Sequence, residues 1–326
     1  MFMNFDAVSK LITGGKLLHI AGTDALLRKL PKGKWVGGST EYFLESAGGK
    51  VSGDDFDVSE FTYDFSIKSY DVSSIKNIAA DAYDNGFSIV IIPFDSKVHI
   101  EYAQKAPGYQ DIFMKNTVGW ISGLNLGKQG QVPVAVNGMT GEVFTDRAVA
   151  LHLGAGAGKM FSVNIINIFE QDEKSPLIEF SKEGFRADTC LVNGKETKLA
   201  DYIAQNKINT KMQLVGEYSG QGVNVSFKSI DSGIVNFYAP VFKGIKYRIA
   251  KNIPDYVKAF NAKLAEVKNA NIAFSCNCIL NFLYGELEGK QIAGSGGSAF
   301  TGPVTFGEIA YQLVNQTLVY VNEEKT

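Results

Sequence analysis

Asn271-Ile272-Ala273-Phe274-Ser275-Cys276-Asn277-Cys278 is the stretch on which the reading of this chain turns. An apolar run leads into a small polar tetrad, as a strand does when it is buried along its length and ends among small polar side chains. Upstream, Pro254 opens the best helical pattern in the chain, with Ile253, Tyr256, Val257, Phe260, Leu264 and Val267 on one stripe. Downstream come the glycine-rich Gly294-Ser295-Gly296-Gly297-Ser298, then Gly302-Pro303-Val304-Thr305-Phe306-Gly307-Glu308-Ile309, then a strand pattern from Asn315 to Val321. A buried strand ending in small polar residues, facing a Gly-rich bend and one carboxylate, predicts a small-molecule pocket. It does not name the ligand.

The same design occurs near the other end. Lys16 to Ala21 reads as a strand, a helix is expected from about Thr23 to Leu30, and Trp35-Val36-Gly37-Gly38-Ser39-Thr40 is a short apolar strand running into small residues. Phe56 to Ile67 alternates apolar and polar as one half-buried strand. Ser73 or Ser74 is read as the cap of a helix through Tyr83, and Ser96 as the cap of another through Ala106. Between them, Phe87 to Phe94 is a continuous apolar run, the mark of a strand covered on both faces. Strands are expected at 132–137, 143–153 and 160–169, and later at 212–218, 223–228 and 234–242, with a hairpin at Asn193-Gly194 and a helix at 199–205. The charged, proline-ended Gln171 to Pro176 segment is taken as a boundary between an N-terminal unit, 1–172, and a C-terminal unit, 173–326. Each places helix before strand before small-residue bend. The fold expected is therefore α+β: two related halves, mixed sheets flanked by helices, with a pocket between them.

Composition narrows the functional classes. In 326 residues, 45% are hydrophobic and 20% charged, and 32 basic against 34 acidic residues leave a net charge of −2 with no basic cluster, so nucleic acid is not an expected partner. The longest apolar runs are too short to span a bilayer, and Met1 to Asp6 lacks the basic-then-apolar design of a signal peptide. Three cysteines, two of them separated by a single residue, make no disulfide framework and point to a reducing cytoplasm.

Several residues could carry chemistry. Ser275 and Asn277, or Cys276, could touch a ligand at the strand end; equally, both cysteines could be small core hydrophobes. A nucleophilic Cys276 or Ser275, as in a hydrolase or transferase, needs a base, and His19, His99 and His152 sit in no recognisable signature. His152 has the apolar neighbours of a core residue, and His99 falls on a helix read as superficial. Cys-x-Cys without further ligands falls short of a metal site, and no histidine is singled out as a haem ligand. Gly154-Ala155-Gly156-Ala157-Gly158-Lys159 fails as a P-loop, because Met160 stands where Ser or Thr is needed, and reads as a turn between strands. Glu308, in an apolar run, is either paired and structural or an acceptor for a ligand, and Arg248 is its candidate ion-pair partner or a clamp for a ligand carboxylate.

Phe274-Ser275-Cys276, Gly307-Glu308-Ile309 and Asn315-Gln316-Thr317-Leu318, with Phe242-Lys243-Gly244 and Tyr247-Arg248 ahead of the Tyr256 helix, resemble the FIST sensory domains of bacterial signal-transduction proteins. Val36-Gly37-Gly38-Ser39-Thr40 is similar to the strand and bend of that family's N-terminal part. The chain departs from the family where an arginine commonly follows the Ser-Cys strand end: here Cys278-Ile279-Leu280 stands. What the resemblance implies is a module that binds an amino acid or similar metabolite, with no inherited catalytic mechanism, and a sensor role would need a separate signalling chain. The reading taken is a cytoplasmic sensor whose candidate ligand-binding residues are Ser39, Thr40, Arg248, Ser275, Cys276, Asn277 and Glu308. An assembly protein without a ligand is the remaining alternative.

Overall fold

The computed structural model describes residues 1–156, 158–218, 221–267, 270–290 and 300–325. The glycine-rich stretch at 294–298, and Ala157 of the 154–159 turn, lie outside the described residues. The fold is α+β, with mixed sheets and helices packed on their outer faces.

Its centre is the Gly86–Pro93 strand, buried along its whole length. Phe87, Ile89 and Ile91 point into one apolar cluster with Trp120, and Val90 and Ile92 into another with Val98 and Tyr102 of the Lys97–Lys105 helix. Both faces are covered, which is why the sequence runs apolar without alternation. Each buried isoleucine contributes roughly 2 kcal/mol by removal from water.

Around this strand lies a six-stranded sheet that also holds Asp64–Tyr70, Thr117–Ser122, Ala148–Gly154 and the late strands Glu308–Ala310 and Gln312–Val314. A second six-stranded sheet joins Lys159–Ile166, Leu318–Lys325, Ile272–Cys278 and Gly302–Thr305 to the early strands Tyr42–Glu45 and Gly48–Val51. Both sheets thus draw strands from each side of residue 172. A third, built around Leu17–Gly22 and Trp35–Ser39, is covered on its outer face by the Phe5–Thr13 helix through Val8 and Ile12. The inner faces of all three sheets meet in the cluster that contains Ala21, Val36, Ile91, Trp120, Phe274, Cys276 and Val319. Residues 178–249 fold mostly apart, around their own apolar cluster of Ile178, Phe180, Leu214, Val225, Phe237 and Tyr247.

Several local expectations are corrected. Phe56 to Ile67 is two strands, Phe56–Phe61 and Asp64–Tyr70, which enter different sheets. No helix runs from Ser73 to Tyr83: the Asp71 carboxylate accepts from the N–H groups of Ser73 and Ser74 and turns the chain into a single 3₁₀ turn at Ile75–Asn77. The late helix starts at Tyr256, with Asp255 capping Lys258 N–H, so Pro254 precedes it.

Among the described residues three neighbouring strand pairs run parallel: Leu17–Gly22 with Trp35–Ser39, Gly86–Pro93 with Thr117–Ser122, and Ile272–Cys278 with Gly302–Thr305. Their C-terminal ends are joined to one another. Gly123 N–H donates to Ser39 O at 2.7 Å, Phe306 N–H to Ile121 O at 3.0 Å, and Thr40 Oγ1 to Val304 O at 2.8 Å.

The close pairing of the Gly86–Pro93 and Thr117–Ser122 strands within their sheet rests on Gly119, at φ +153°, where an added Cβ would lie 1.9 Å from Val90 O. Gly119→Ala is expected to cost about 3 kcal/mol or more, from backbone strain and overpacking together. Gly108→Ala, where a Cβ meets nothing within 4 Å, should change stability by less than about 0.5 kcal/mol. Guanidinium unfolding of the two variants checks this; equal stabilities would mean the two strands can move apart at Gly119.

Candidate functional site

In open sheets with parallel strands, ligands bind in the crevice beyond the strands' carboxyl ends. Here that edge carries a cleft and a pocket, side by side. The cleft, about 490 Å³, lies beyond Gly22 and Ser39 and is lined by Thr23, Ser39, Thr40, Glu41, Asn125 and Lys128 among others. The pocket, about 180 Å³, lies where the other two parallel pairs end. Its walls are apolar: Phe94, Leu124, Ile279, Leu280 and Phe306, with Leu126 and Leu283 at the rim. Its polar atoms come from Cys278, Asn315, Lys228 and the Tyr238 hydroxyl. Leu124 belongs to both cavities.

Two polar groups of the pocket stand out. Lys228, on the Phe227–Asp231 strand, is exposed and makes no ion pair among the described residues; its Nζ lies 5.5 Å from the centre of the Phe94 ring and 6.0 Å from that of Tyr238. Asn315 is buried, and its Nδ2 donates to nothing while its Oδ1 accepts from Ser226 Oγ at 3.3 Å. It ends a buried polar chain. Ser226 Oγ also meets Gln213 Oε1 and Gln316 Oε1, Gln316 Nε2 donates to the Tyr256 hydroxyl, and that hydroxyl donates to Asn281, which in turn donates to Asn277 Oδ1. Asn277 Nδ2 and Gln213 Nε2 are likewise unused. Buried N–H donors are normally satisfied, and an acceptor-bearing molecule at this edge would satisfy one.

Behind Cys278 lies Glu308, fully buried and without an ion pair among the described residues. Burial pushes its carboxyl up to about 8, against the opposing pull of hydrogen bonds from Thr305, Thr317 and the Cys278 thiol. The geometry agrees with a protonated acid. Thr305 Oγ1 sits 2.7 Å from Glu308 Oε1 and 3.2 Å from Asn277 O, and its single hydrogen serves the carbonyl if the acid supplies the other bond. Thr317 Oγ1 donates to Oε2 at 2.8 Å.

The candidate residues read from the sequence are placed as follows. Ser39 and Thr40 line the cleft, with their hydroxyls donating to Gly123 O and Val304 O. Ser275 Oγ donates to Thr301 O, Cys276 Sγ to Gly119 O at 3.4 Å, and Asn277 is held in the buried chain; none of the three lines the cleft or the pocket, whereas Cys278 does. Arg248 is not the partner of Glu308: its Nη1 donates to the carbonyls of Glu173 and Ser175, tying down the 171–176 connection. Burial, then the neighbouring Glu308, raises both Cys276 and Cys278 well above the ordinary thiol range, the opposite of what a nucleophile needs.

His19 accepts from Trp120 Nε1 at 2.9 Å in the core, and burial lowers it to about 3. His152 is held between Ser88 Oγ and the Tyr70 hydroxyl, as its apolar context suggested. His99 is buried, contrary to its reading as a surface residue: its Nδ1 accepts from Asp95 N–H, and burial with the Lys228 charge lowers it to about 4. Among the described residues no three His, Cys, Asp or Glu side chains converge as metal ligands. No described helix is long and apolar enough to cross a membrane.

Residues 3–324 match the family described as "Family of unknown function (DUF6976)". The chain belongs to that family. No curated protein and no solved structure matches it.

Sequence reasoning missed Lys228, Tyr238 and Glu41. Lys228 and Tyr238 come from a hairpin far from the pocket strands in sequence, and only the Ser39-Thr40 bend beside it could have drawn attention to Glu41.

Because Glu308 takes up a proton on folding, stability should fall as pH rises from about 4.3, the ordinary carboxylate value, toward 8, with a slope of at most about 1.4 kcal/mol per pH unit. Glu308→Gln keeps the shape and a donor for Thr305. It should flatten that dependence and exceed the wild type in stability at pH 8. Urea unfolding at pH 5, 6.5 and 8 tests this; a variant weaker than wild type at every pH would mean the carboxylate is needed charged.

Proposed function

We propose that this DUF6976 chain is a small-molecule-binding module whose site is the Cys278 pocket at the convergence of the strand ends, and that it acts as a cytoplasmic sensor through a separate signalling chain. The observation that carries the reading is the pocket's chemistry: apolar walls, a buried and unused amide donor, Asn315, and at the solvent side the exposed ammonium of Lys228, which makes no ion pair among the described residues. That combination suits a ligand with an apolar body and a carboxylate, such as an apolar amino acid or a similar metabolite. The resemblance of the strand-end motifs to FIST sensory domains supports the same class. The raised thiols of Cys276 and Cys278 favour binding over nucleophilic chemistry.

Native mass spectrometry beside the denatured mass, followed by calorimetric titration with a panel of apolar amino acids and short carboxylic acids, tests the proposal. Leu283→Trp, at a rim position 40% exposed, should fill the mouth and weaken binding at least about tenfold while leaving the melting temperature within a few degrees. Lys228→Ala should weaken acids by about 1.5–3 kcal/mol, the range of one hydrogen bond to a charged group, and leave their amides unaffected. A bare chain that takes up nothing from the panel, or affinities unchanged in both variants, would sink the assignment of this pocket.

A further inference from the structure

The wall between cleft and pocket is the 123–132 segment, and it is held in an unusual way. Residues 126–132 are exposed, with Leu126 at 52%, so little burial fixes them. Instead, three of the segment's side chains converge on one carboxylate. Asn125 Nδ2 donates to Glu41 Oε2 at 2.7 Å, Gln131 Nε2 to Oε1 at 3.1 Å, and Lys128 Nζ reaches both oxygens, at 2.7 and 3.0 Å. Glu41 itself is only 4% exposed and sits on the rigid bend that leads into the Tyr42–Glu45 strand. Next to it, the Tyr42 hydroxyl accepts from Leu126 N–H at 3.1 Å. The segment's own turn is closed by Gly127 N–H on Asn125 Oδ1 and by Asn125 N–H on Gln131 Oε1. At its two ends it is anchored to Ser39, through Gly123 N–H and Val134 N–H.

We propose that residues 124–132 are a lid over the Cys278 pocket, and that Glu41 is the latch that holds it shut. This inference rests on the reading of that pocket as the ligand site and adds how entry to it is controlled. The lid's inner side supplies the pocket wall through Leu124 and Leu126, so swinging it outward about its Ser39 anchors opens the pocket from the side. The cost of opening is concentrated in the bonds to one carboxylate, because the lid buries so little else. Exposed, weakly packed segments held by a few polar bonds are those that open locally without global unfolding. A ligand in the larger cleft that competes for Glu41, or for Lys128, would therefore release the pocket wall.

The test needs no ligand. Cys278 lines the pocket and is buried, so its alkylation by N-ethylmaleimide, followed by peptide mass mapping, reports lid opening. Cys190, buried in the separate 178–249 cluster, is the internal control. Glu41→Gln should raise the Cys278 rate at least tenfold and leave the Cys190 rate unchanged. The double variant Lys128→Ala with Gln131→Ala removes two of Glu41's three partners from exposed positions, where misfolding is not an issue, and should raise the Cys278 rate in the same direction. An unchanged Cys278 rate in both, or Cys190 and Cys276 rising in step with it, would overturn the latch. If acids from the panel bind normally and the Cys278 rate does not move, the lid is wrong and the pocket stands. If the latch variants speed Cys278 and nothing binds, the lid stands and the ligand assignment falls.

Discussion

Parallel pairing of strands imposes the constraint from which the rest of this molecule follows. Two parallel neighbours cannot be joined by a tight turn; the chain must cross back over the sheet, and every strand of the pair then ends at the same edge. Three such pairs occur among the described residues, and backbone and threonine hydrogen bonds at Ser39, Ile121 and Val304 tie their ends together. At that edge the sheet ladders stop, and the loops that leave it must satisfy their polar groups some other way. Cleft, pocket and lid are all built from those loops.

The polar interior beside the edge is a consequence of the same stop. Asn277 lies at the end of the Ile272–Cys278 strand, Asn281 lies on the Ile279–Tyr284 helix that follows it, and Asn315 and Gln316 sit in the turn before Leu318; all four are buried there, and their side chains bond to one another through Tyr256 and Ser226. A charged Glu308 in this setting would carry a desolvation cost of several kcal/mol with no cation to offset it. Holding a proton at neutral pH avoids most of that cost, and the two threonines supply the remaining bonds. Glu41 shows the opposite solution a short way off. Burial alone would push its carboxyl up, but the bonds from Lys128, Asn125 and Gln131 and the Lys128 charge outweigh this and hold it below the usual range. One carboxyl is buried as an acid and the other as an anion, and the difference lies in whether a cation can reach it from the surface.

Much of the fold was legible because local pattern and burial coincide. Phe87 to Phe94 reads as a doubly covered strand, Trp35 to Ser39 and Ile272 to Cys278 as strands ending in small residues, and Asn193-Gly194 as a hairpin whose two residues take the left-handed conformation in the structure. The misreadings have physical causes. Phe56 to Ile67 keeps one alternating pattern through a change of sheet, since alternation reports a covered face and not which sheet covers it. Ser73-Ser74 serves an Asp71 turn as readily as a helix cap, and no periodicity separates the two.

The sequence by itself determined the class of structure, an α+β chain with buried strands that end in small polar side chains, and it singled out Ser39, Thr40 and Glu308 as unusual for their positions. Those properties depend on neighbours a few residues away. Tertiary structure alone decided which strand ends meet, that Cys278 and not Ser275 or Cys276 faces the pocket, that Arg248 is spent on the Glu173 and Ser175 carbonyls, and that Lys228 lines the pocket and Glu41 the cleft. The bulge between Ile272 and Phe274 and the pairing of Gly302–Thr305 with an early strand are long-range facts. A side chain's direction at a strand end is set by the strand's partners in the sheet, and those partners lie tens to hundreds of residues away along the chain.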